Sequence, residues 1–327
     1  MKIGVIFTGG TIGSLSGDGG IAPHGDTKRL LLSEYAARTG DPYCFPTAEP
    51  YTTLSENMTF SHLGILADCI KESLREWDAA IVTHGTDTLQ YTGAALGYLC
   101  GLSTKPVVLV SANHPLDDPR SNGLDNFCAA VSFLRTVTGV TGVFAAYRSH
   151  GEDAHIHRAT RLLPHPPMDD ALRSIGGPAA VVTAQGEAKL LATYTEQHDG
   201  QVVMESDALV GAEGRILRLM AYPGMRCPTL DGVAAVLLDT YHSGTLPTKA
   251  LAVRMLAKKA KEAGVPVILT GVPAGGTAYE SGNDYEALGF FTAPPISPIA
   301  AYLKLCLALA NGRDPYRALS LPLGGDM

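Results

Sequence analysis

The feature that most constrains the fold is the segment 2–14, KIGVIFTGGTIGS, in which an apolar run ends abruptly in a polar, glycine-rich turn. The run 3–7 predicts a short buried β-strand. Gly9 and Gly10 predict a tight turn that brings the backbone close to whatever lies above it. No lysine follows these glycines and the GxGxxG spacing is absent, so a standard nucleotide loop is not indicated. Because ligands of open α/β sheets bind outside the carboxyl ends of the strands, the hydroxyl of Thr11 is a candidate functional group.

A second segment, 79–88 (AAIVTHGTDT), repeats the pattern of an apolar strand that runs into a turn with threonine beside glycine. It adds a carboxylate, Asp87, next to Thr86. A threonine hydroxyl is a weak nucleophile unless another group takes its proton. Together, TGGTI and HGTDT, in this order and each at a strand end, resemble the motifs of the bacterial-type L-asparaginase/glutaminase family, in particular its cytoplasmic type I. The resemblance covers most of the chain and is closest up to about Asn126.

Composition argues against several classes of protein. With 327 residues, 46% of them hydrophobic, the chain is long enough for a large core and two domains. No 18-residue apolar run is present, so no membrane-spanning helix is expected. The net charge of −7, without a basic block, argues against a nucleic-acid surface. Six scattered cysteines without a CxxC pair, and a chain that opens on a motif-bearing strand rather than a signal peptide, predict buried free thiols in the cytoplasm.

Strands, loops and helices alternate through the first part of the chain, and such alternation predicts an α/β domain with a doubly wound parallel sheet. From 185 to 214 the pattern weakens and polar residues accumulate, after which a second alternation follows. We therefore predict an α/β protein with a larger N-terminal doubly wound parallel-sheet domain, a linker and a smaller C-terminal α/β domain, at 1–190, 191–213 and 214–327. The segment 13–25, rich in glycine and serine, predicts a mobile loop directly after the first motif.

The resemblance implies amide hydrolysis by a threonine, without a cofactor. Thr11 would be the primary nucleophile: it attacks the side-chain amide carbon of asparagine, an acyl-enzyme forms, ammonia leaves and water then releases aspartate. Thr86 would help to activate or orient that water. Asp87 would hold the α-ammonium of the substrate, and a buried carboxylate suits this role because an ion pair with hydrogen bonds offsets desolvation. The alternative for Thr11 is a turn residue whose hydroxyl caps the next helix.

The resemblance also implies a set of substrate-binding groups. Ser55 matches a serine that contacts the α-carboxylate; the alternative is a polar loop residue that caps a helix. Its neighbour Glu56 adds a negative charge that is unfavourable near a carboxylate unless the side chain points away. Ala112 lies where the family places a backbone carbonyl near the substrate amide. Glu280 resembles an acidic residue that reaches into a neighbouring protomer's site in a homodimer or homotetramer, with a solvated loop glutamate as the alternative.

Three positions depart from the family pattern. In the stretch HRATR, Arg161 takes the place of a lysine; arginine stays protonated, so it can orient Asp87 or stabilise charge but cannot shuttle a proton. Ile21 stands where the family has a lid tyrosine, and it brings no hydroxyl to Thr11. In a turn of the second domain, Thr245 replaces an asparagine. These substitutions leave the fold expectation intact and put the standard reaction in question.

Histidines cluster shortly after residue 149 and invite a metal-site interpretation. His155 and His157 would share one face of a strand. The stretch has no HExxH or other fixed ligand spacing, so no metal site is expected. The members of the cluster are His150, His155, His157 and His165, with Glu152 and Asp153 nearby.

Three alternatives to asparagine hydrolysis stay open. One is a related amidohydrolase with a different substrate, since the departures described above alter the pocket. The second is a catalytically weakened homologue that binds a small amino acid, because both motif threonines are kept while their activators are not. The third is the asparaginase-like component of an archaeal-type tRNA-dependent amidotransferase. That component has an extra N-terminal domain, for which we expect no room before Lys2, so the sequence does not favour it.

Overall fold

The computed structural model describes residues 1–17, 20–100, 104–194 and 207–327. Its contacts divide the chain into two compact units. Unit 1 comprises Met1–Ser206 together with Leu323–Gly325, and unit 2 comprises Asp207–Pro322 together with Asp326–Met327. Both units combine a β-sheet with α-helices, so the predicted α/β class with a larger N-terminal and a smaller C-terminal domain is confirmed.

Strands and helices alternate along most of the chain. The strands are β1 (Ile3–Phe7), β2 (Ser14–Gly17), β3 (Gly20–Pro23), β4 (Thr47–Ala48), β5 (Ala79–Thr83), β6 (Val107–Val110), β7 (Val143–Tyr147), β8 (Ala154–Arg158), β9 (Ala180–Val182), β10 (Ala188–Leu190), β11 (Ile216–Met220), β12 (Ala235–Asp239), β13 (Val267–Thr270) and β14 (Phe290–Thr292). The α-helices are α1 (Thr27–Thr39), α2 (Phe60–Ser73), α3 (Leu89–Leu99), α4 (Gly123–Thr136), α5 (Leu251–Ala263), α6 (Pro298–Ala310) and α7 (Pro315–Ser320). In the described part of the chain, none of these helices has the length and apolar character needed to cross a bilayer.

Unit 1 is built on an eight-stranded sheet with the order β10-β9-β8-β7-β6-β5-β1-β4. Strands β4, β1, β5, β6 and β7 run parallel, whereas β8, β9 and β10 extend the sheet in antiparallel fashion. Every residue of β1, β5 and β6 is buried, as expected for parallel strands covered on both faces. In the ladder between β1 and β5, Phe7 lies opposite Thr83, so the segments that follow these strands leave the sheet side by side.

The hydrophobic core of unit 1 fixes the strands from which the two motif segments emerge. One hydrophobic cluster joins β1, β5 and β6 to helices α1 and α4. Within it, the rings of Tyr35 and Phe127 meet edge to face with centroids 5.4 Å apart, a favourable aromatic geometry. On helix α2, Leu63, Leu66 and Ile70 recur at helical spacing and form the buried face, since each is at most 4% exposed.

The predicted loop at 13–25 is wrong in its local structure, because β2 and β3 form an antiparallel hairpin there. Ser16 pairs with Ile21, and residues 18–19 lie outside the described part of the chain. Gly20, which pairs with Gly17, has a φ of 108°, a conformation that glycine adopts readily. Ile21 is half exposed on the second strand of the hairpin.

The prediction that the free cysteines are buried is only partly confirmed. Cys100 and Cys306 are buried, as predicted. Cys44 is exposed, because it lies in an irregular segment between α1 and β4 rather than on a packed face of a helix or strand. The remaining cysteines are partly buried: Cys69, Cys128 and Cys227.

Unit 2 holds a four-stranded parallel sheet in the order β11-β12-β13-β14. Strand β14 and helix α7 were not predicted from the sequence. Of the predicted linker, residues 207–212 form a 3-10 helix within this unit, and residues 195–206 lie outside the described ranges. Lys304 of α6 and Asp326 form an ion pair at 2.7 Å whose two side chains are at most 1% exposed, and the Lys304 amine also donates to the Leu321 carbonyl. Loss of either partner would leave a buried charge uncompensated.

Candidate active site

The two threonine motifs meet at the carboxyl ends of β1 and β5. Gly10, with a φ of 72°, precedes a 3-10 helix at Thr11–Gly13. A Cβ atom on Gly10 would lie 2.2 Å from the backbone nitrogen of Gly85, so the two segments are in direct backbone contact. The predicted adjacency of the two strands is therefore confirmed, and Thr11 and Thr86 are both partly buried. That their hydroxyls face one another across one cleft stays a prediction.

Ser55 joins this contact from the segment that precedes α2. Its side chain is buried, and its Oγ donates to a carboxylate oxygen of Asp87 at 3.2 Å. The hydroxyl of Thr88 donates to the Ser55 carbonyl at 3.0 Å. A Cβ atom on Gly85 would lie 2.3 Å from the Ser55 Oγ, so the serine packs directly against the second motif. The structure thus brings together Ser55 and Asp87, two of the residues predicted to bind substrate.

Two acidic residues of the site are exposed. The expectation of a buried carboxylate at Asp87 is wrong, because the residue lies in the turn between β5 and α3, outside the sheet. Its place ahead of the α3 N-terminus still favours a negative charge, since the backbone N–H groups of a helix start carry partial positive charge. Glu56 is also exposed, in the 3-10 helix Ser55–Asn57. This exposure is compatible with a side chain that points away from a carboxylate at Ser55.

His84 is a site residue that the sequence reasoning missed. It is buried, with its Nδ1 2.8 Å from the Gly85 carbonyl oxygen and its Nε2 2.8 Å from the Thr92 hydroxyl. Because a carbonyl oxygen only accepts, Nδ1 carries the proton and Nε2 accepts from Thr92. The neutral ring therefore holds the Gly85 peptide, which is the point of contact between the two motifs. The available signal was its place in the polar turn that follows the apolar run 79–82.

Buried histidines should make the protein sensitive to mild acid. Burial lowers the pKa of His84 to about 4 and the pKa of His157 to about 3, so both bind protons more readily in the unfolded chain. The free energy of unfolding is therefore highest above pH 6.5, the unfolded pKa. It decreases as the pH falls from there toward the folded pKa. We expect the free energy of unfolding to drop by about 1.4 kcal/mol per pH unit for each histidine between roughly pH 6 and 4. Urea unfolding at several pH values measures this slope, and His84→Asn should remove its share; an unchanged slope would contradict the assignment.

Replacing Gly10 with alanine should force the two motif segments apart. The new Cβ would overlap the Gly85 backbone, and the φ of 72° disfavours any residue with a side chain. We expect a loss of about 3 kcal/mol or more in the free energy of unfolding. The matched control is Gly40→Ala, where φ is 66° and no other atom lies within 4 Å of the new Cβ; it should cost only about 1–2 kcal/mol. Equal thermal shifts in the two variants would show that the backbone contact is unimportant.

Ala112 follows β6, the neighbour of β5 in the sheet, and is fully buried. The next residue, Asn113, exchanges hydrogen bonds with Asn122: each backbone N–H donates to the other's side-chain oxygen, at 2.9 and 3.0 Å. Asn113 also donates to Asp170, whose other carboxylate oxygen accepts from the Tyr147 hydroxyl. This network holds the backbone directly after Ala112 in place. The predicted contact of the Ala112 carbonyl with a substrate amide stays a prediction.

Arg161 ends the 3-10 helix Ala159–Arg161 that follows β8. Its Nε donates to the carbonyl oxygen of Gly325 at 2.7 Å. Strand β8 runs antiparallel to β7, and Arg158 at its end pairs with Phe144 near the start of β7. The turn that carries Arg161 therefore begins at the amino edge of the parallel strands, whereas Thr11 and Thr86 follow their carboxyl ends. The predicted position of the guanidinium near Asp87 and Thr86 is not supported by this register.

Glu280 and Thr245 belong to unit 2. Glu280 starts a 3-10 helix at Glu280–Asp284, and its side chain is 87% exposed and 3.9 Å from the Lys249 amine. The carbonyl of Thr245 accepts from the Tyr241 backbone at 3.0 Å and closes the turn in which it lies. A role for Glu280 at a neighbouring protomer's site stays a prediction.

The histidine cluster is held by side-chain contacts within unit 1. His155 and His157 share β8, with ring centroids 6.0 Å apart. His155 lies 3.4 Å from a carboxylate oxygen of Glu152, and His157 lies 2.8 Å from the Ser174 hydroxyl. In the parts of the chain that the structure describes, no group of three or more His, Cys, Asp or Glu side chains could hold a metal ion.

An open α/β sheet with polar turns on neighbouring strand ends is the usual arrangement of a ligand-binding α/β protein. Residues 2–194 match the family described as asparaginase, N-terminal. The match spans more than half of the chain, which therefore belongs to the asparaginase family.

Relatives and solved structures cover nearly all of the chain. The chain is 26% identical to a component of the glutamyl-tRNA(Gln) amidotransferase of Pyrobaculum aerophilum, over 100% of this chain and 80% of that protein. The corresponding amidotransferase component of Pyrococcus furiosus is also 26% identical, over 98% of this chain and 75% of that protein. The thermostable L-asparaginase from Thermococcus kodakarensis matches with a TM-score of 0.81 at 24% identity, over 100% of this chain and 99% of its own. L-asparaginase I from Vibrio cholerae matches with a TM-score of 0.76 at 22% identity, over 99% and 98%. The two structural matches support the fold.

Proposed function

We propose that the protein hydrolyses the side-chain amide of L-asparagine to L-aspartate and ammonia, with a threonine nucleophile and without a cofactor. The observation that carries the proposal is the backbone contact between Gly10 and Gly85, which puts the segments of Thr11 and Thr86 beside each other. In the same place, the Ser55–Asp87 hydrogen bond offers a hydroxyl and a carboxylate, groups suited to the carboxylate and ammonium ends of an amino acid.

In the proposed reaction, the Thr11 oxygen bonds to the amide carbon while the Thr11 proton passes to the leaving nitrogen, and the C–N bond breaks to give ammonia and an ester. A water molecule oriented by Thr86 then adds to the ester carbon, the C–O bond to Thr11 breaks, and a water proton passes to the Thr11 oxygen, which gives aspartate and restores the hydroxyl. Asp87 holds the α-ammonium throughout. If Arg161 reaches the site, its permanent charge stabilises negative charge but takes no proton.

The test is release of ammonia by the purified protein from a panel of amides that includes L-asparagine, L-glutamine and D-asparagine. We expect L-asparagine to give the highest kcat/KM. Binding of aspartate in a calorimeter without any ammonia release would instead favour the weakened homologue. Activity on another amide with none on asparagine would favour an amidohydrolase of altered substrate.

A second candidate is the amide-hydrolysing part of a tRNA-dependent amidotransferase. The observation that favours it is the 26% identity to components of glutamyl-tRNA(Gln) amidotransferases, over 98% or more of this chain. A protein of this kind would have a protein partner and would work with a charged tRNA. Amide hydrolysis that depends on an added tRNA or on a second protein would favour this role over the first.

The family resemblance also implies an oligomeric state and a cellular location for the proposed enzyme. We place the enzyme in the cytoplasm as a homodimer or homotetramer, in which Glu280 contributes to a neighbouring protomer's site. Analytical ultracentrifugation measures the assembly, and Glu280→Gln should then raise KM for asparagine in the oligomer. A monomer with full activity would exclude the shared site.

A further inference from the structure

We propose that Gln90 is a positioning residue of the candidate active site, which holds the peptide group after Asp87 and so fixes Thr86 and Asp87 in their turn. Gln90 is the second residue of α3, the helix that begins directly after this turn at the carboxyl end of β5. The inference rests on the proposed function for its kinetic measurements and on the geometry of the turn alone for its hydrogen-exchange measurement.

The first step is the hydrogen bond between Gln90 and the turn. The Gln90 Nε2 donates to the Asp87 carbonyl oxygen at 3.0 Å, and Gln90 is only 5% exposed. Because a carbonyl oxygen only accepts, this contact fixes which end of the side-chain amide faces Asp87. The peptide group between Asp87 and Thr88 is therefore held by a buried side chain.

The second step is the corresponding bond at the other end of the turn. The His84 Nδ1 donates to the Gly85 carbonyl oxygen at 2.8 Å, which holds the peptide group between Gly85 and Thr86. Thr86 and Asp87 are the two residues between these held peptide groups. The path of their backbone is thus fixed from both sides, by His84 before them and by Gln90 after them.

The third step concerns the polar side chains at the start of α3. Thr88 stands directly before the helix, where a threonine oxygen commonly accepts from a helix N–H. Within the described ranges, Thr88 forms no such cap, and its hydroxyl donates to the Ser55 carbonyl instead. Gln90 likewise gives its amide nitrogen to the turn. Both side chains therefore hold the backbone of the candidate site rather than the helix terminus.

The fourth step is the unpartnered oxygen of Gln90. Among the residues that the structure describes, its Oε1 is buried and has no hydrogen-bond partner. Rotating the amide does not remove this defect, because the Asp87 carbonyl needs a donor. A buried acceptor without a donor destabilises a fold, and Gln90→Met would remove that atom at similar side-chain length. The glutamine therefore lowers stability in exchange for its bond to the turn.

The experiment compares Gln90→Met with Ser111→Ala. Ser111 directly follows β6 and is fully buried, and its Oγ is also without a partner in the described part of the chain. Both variants thus remove a buried, unpartnered oxygen, but only the first also removes a bond to the turn. We expect both to keep or raise the midpoint temperature of unfolding.

The kinetic constants should separate the two variants. Gln90→Met should lower kcat for amide hydrolysis at least ~10-fold, because orientation of the attacking water by Thr86 depends steeply on position. KM should change less than ~3-fold, since the attraction between Asp87 and an ammonium varies gradually with distance. Ser111→Ala should leave both constants unchanged. A lower midpoint temperature with an unchanged kcat in Gln90→Met would reduce Gln90 to a support of the helix and would overturn the inference.

Hydrogen exchange tests the turn without any activity. The Leu89 N–H bonds to the Thr86 carbonyl at 3.4 Å, and mass spectrometry of a peptide that spans 83–89 reports its exchange. Gln90→Met should raise the exchange rate of this peptide several-fold over the parent and over Ser111→Ala. An unchanged rate would contradict the proposed role. Should the parent release no ammonia from any amide, the proposed function fails while this measurement still decides whether Gln90 holds the turn.

A double-mutant cycle shows whether Gln90 acts through Thr86. In a Thr86→Ala background, Gln90→Met should have little further effect on kcat. Additive effects would mean that Gln90 does not act through this threonine and would overturn the inference. Should Gln90→Met fail to fold, Gln90→Leu removes the same polar atoms and takes its place in every measurement, with the same outcomes expected.

Discussion

Replacing Thr11 with alanine is expected to lower kcat for asparagine by a factor on the order of 10⁴ to 10⁶, the range seen when a nucleophile is removed from a hydrolase. The physical reason is that no acyl-enzyme can form without the hydroxyl. KM should change little, because the proposed substrate-binding groups, Ser55 and Asp87, stay in place. Steady-state ammonia release, with a coupled assay sensitive enough for the residual rate, measures the effect.

Thr11→Ser is the matched control for this prediction. It keeps a hydroxyl at the same place and should retain measurable turnover, whereas alanine should not. Thermal unfolding should be nearly the same for both variants, since Thr11 is only partly buried and lies in a short 3-10 helix. Retention of the parent rate by Thr11→Ala would exclude this residue as the nucleophile.

If Arg161 takes the lysine's place in the site, as the family resemblance implies, Arg161→Lys is expected to raise the rate of asparagine hydrolysis. A lysine amine can lose and regain a proton at a perturbed pKa, whereas a guanidinium cannot. A general base typically contributes ~100- to 10,000-fold, so recovery of even a part should give about a 10- to 100-fold gain in kcat. Loss of the Arg161–Gly325 hydrogen bond should cost about 1 kcal/mol of stability at the same time.

The controls for this prediction concern the missing lid hydroxyl. Ile21 is half exposed on the β2–β3 hairpin, so a tyrosine can be accommodated there, and Ile21→Tyr should be combined with Arg161→Lys. The double variant should exceed either single one. Brisk turnover by the unaltered protein, undiminished in Arg161→Ala, would show that Arg161 does not belong to the site.

The framework of the site was predictable from local patterns. Continuous apolar runs at β1 and β6 require a strand buried on both faces, and the spacing of Leu63, Leu66 and Ile70 requires a helix with one buried side. Strand β14 and helix α7 were missed because segments of three and six residues are too short for periodicity to show. The hairpin was missed because glycine marks both tight turns and loops.

Long-range contacts within the site were beyond the reach of the sequence. Periodicity reports which face of an element is buried, not which distant segment covers it. The hydrogen bonds of Arg161 to Gly325 and of Ser55 to Asp87 are of this kind. The exposure of Asp87 was likewise unpredictable, since it depends on the path of the turn after β5 and not on residue type.

The hydrogen bond between Ser55 and Asp87 determines what a ligand must bring with it. The Ser55 hydroxyl gives its one proton to Asp87, so a ligand that takes this proton removes a hydrogen bond from the aspartate. A molecule with an anionic and a cationic end compensates in one step, because it offers an acceptor to the serine and a donor to the aspartate. An amide without a free amino group, or with its carboxylate blocked, lacks one of these groups and should bind more weakly by about 1 kcal/mol, since Asp87 is exposed to water. Free amino acids are thus preferred because they alone among these amides carry both the acceptor for the serine and the donor for the aspartate.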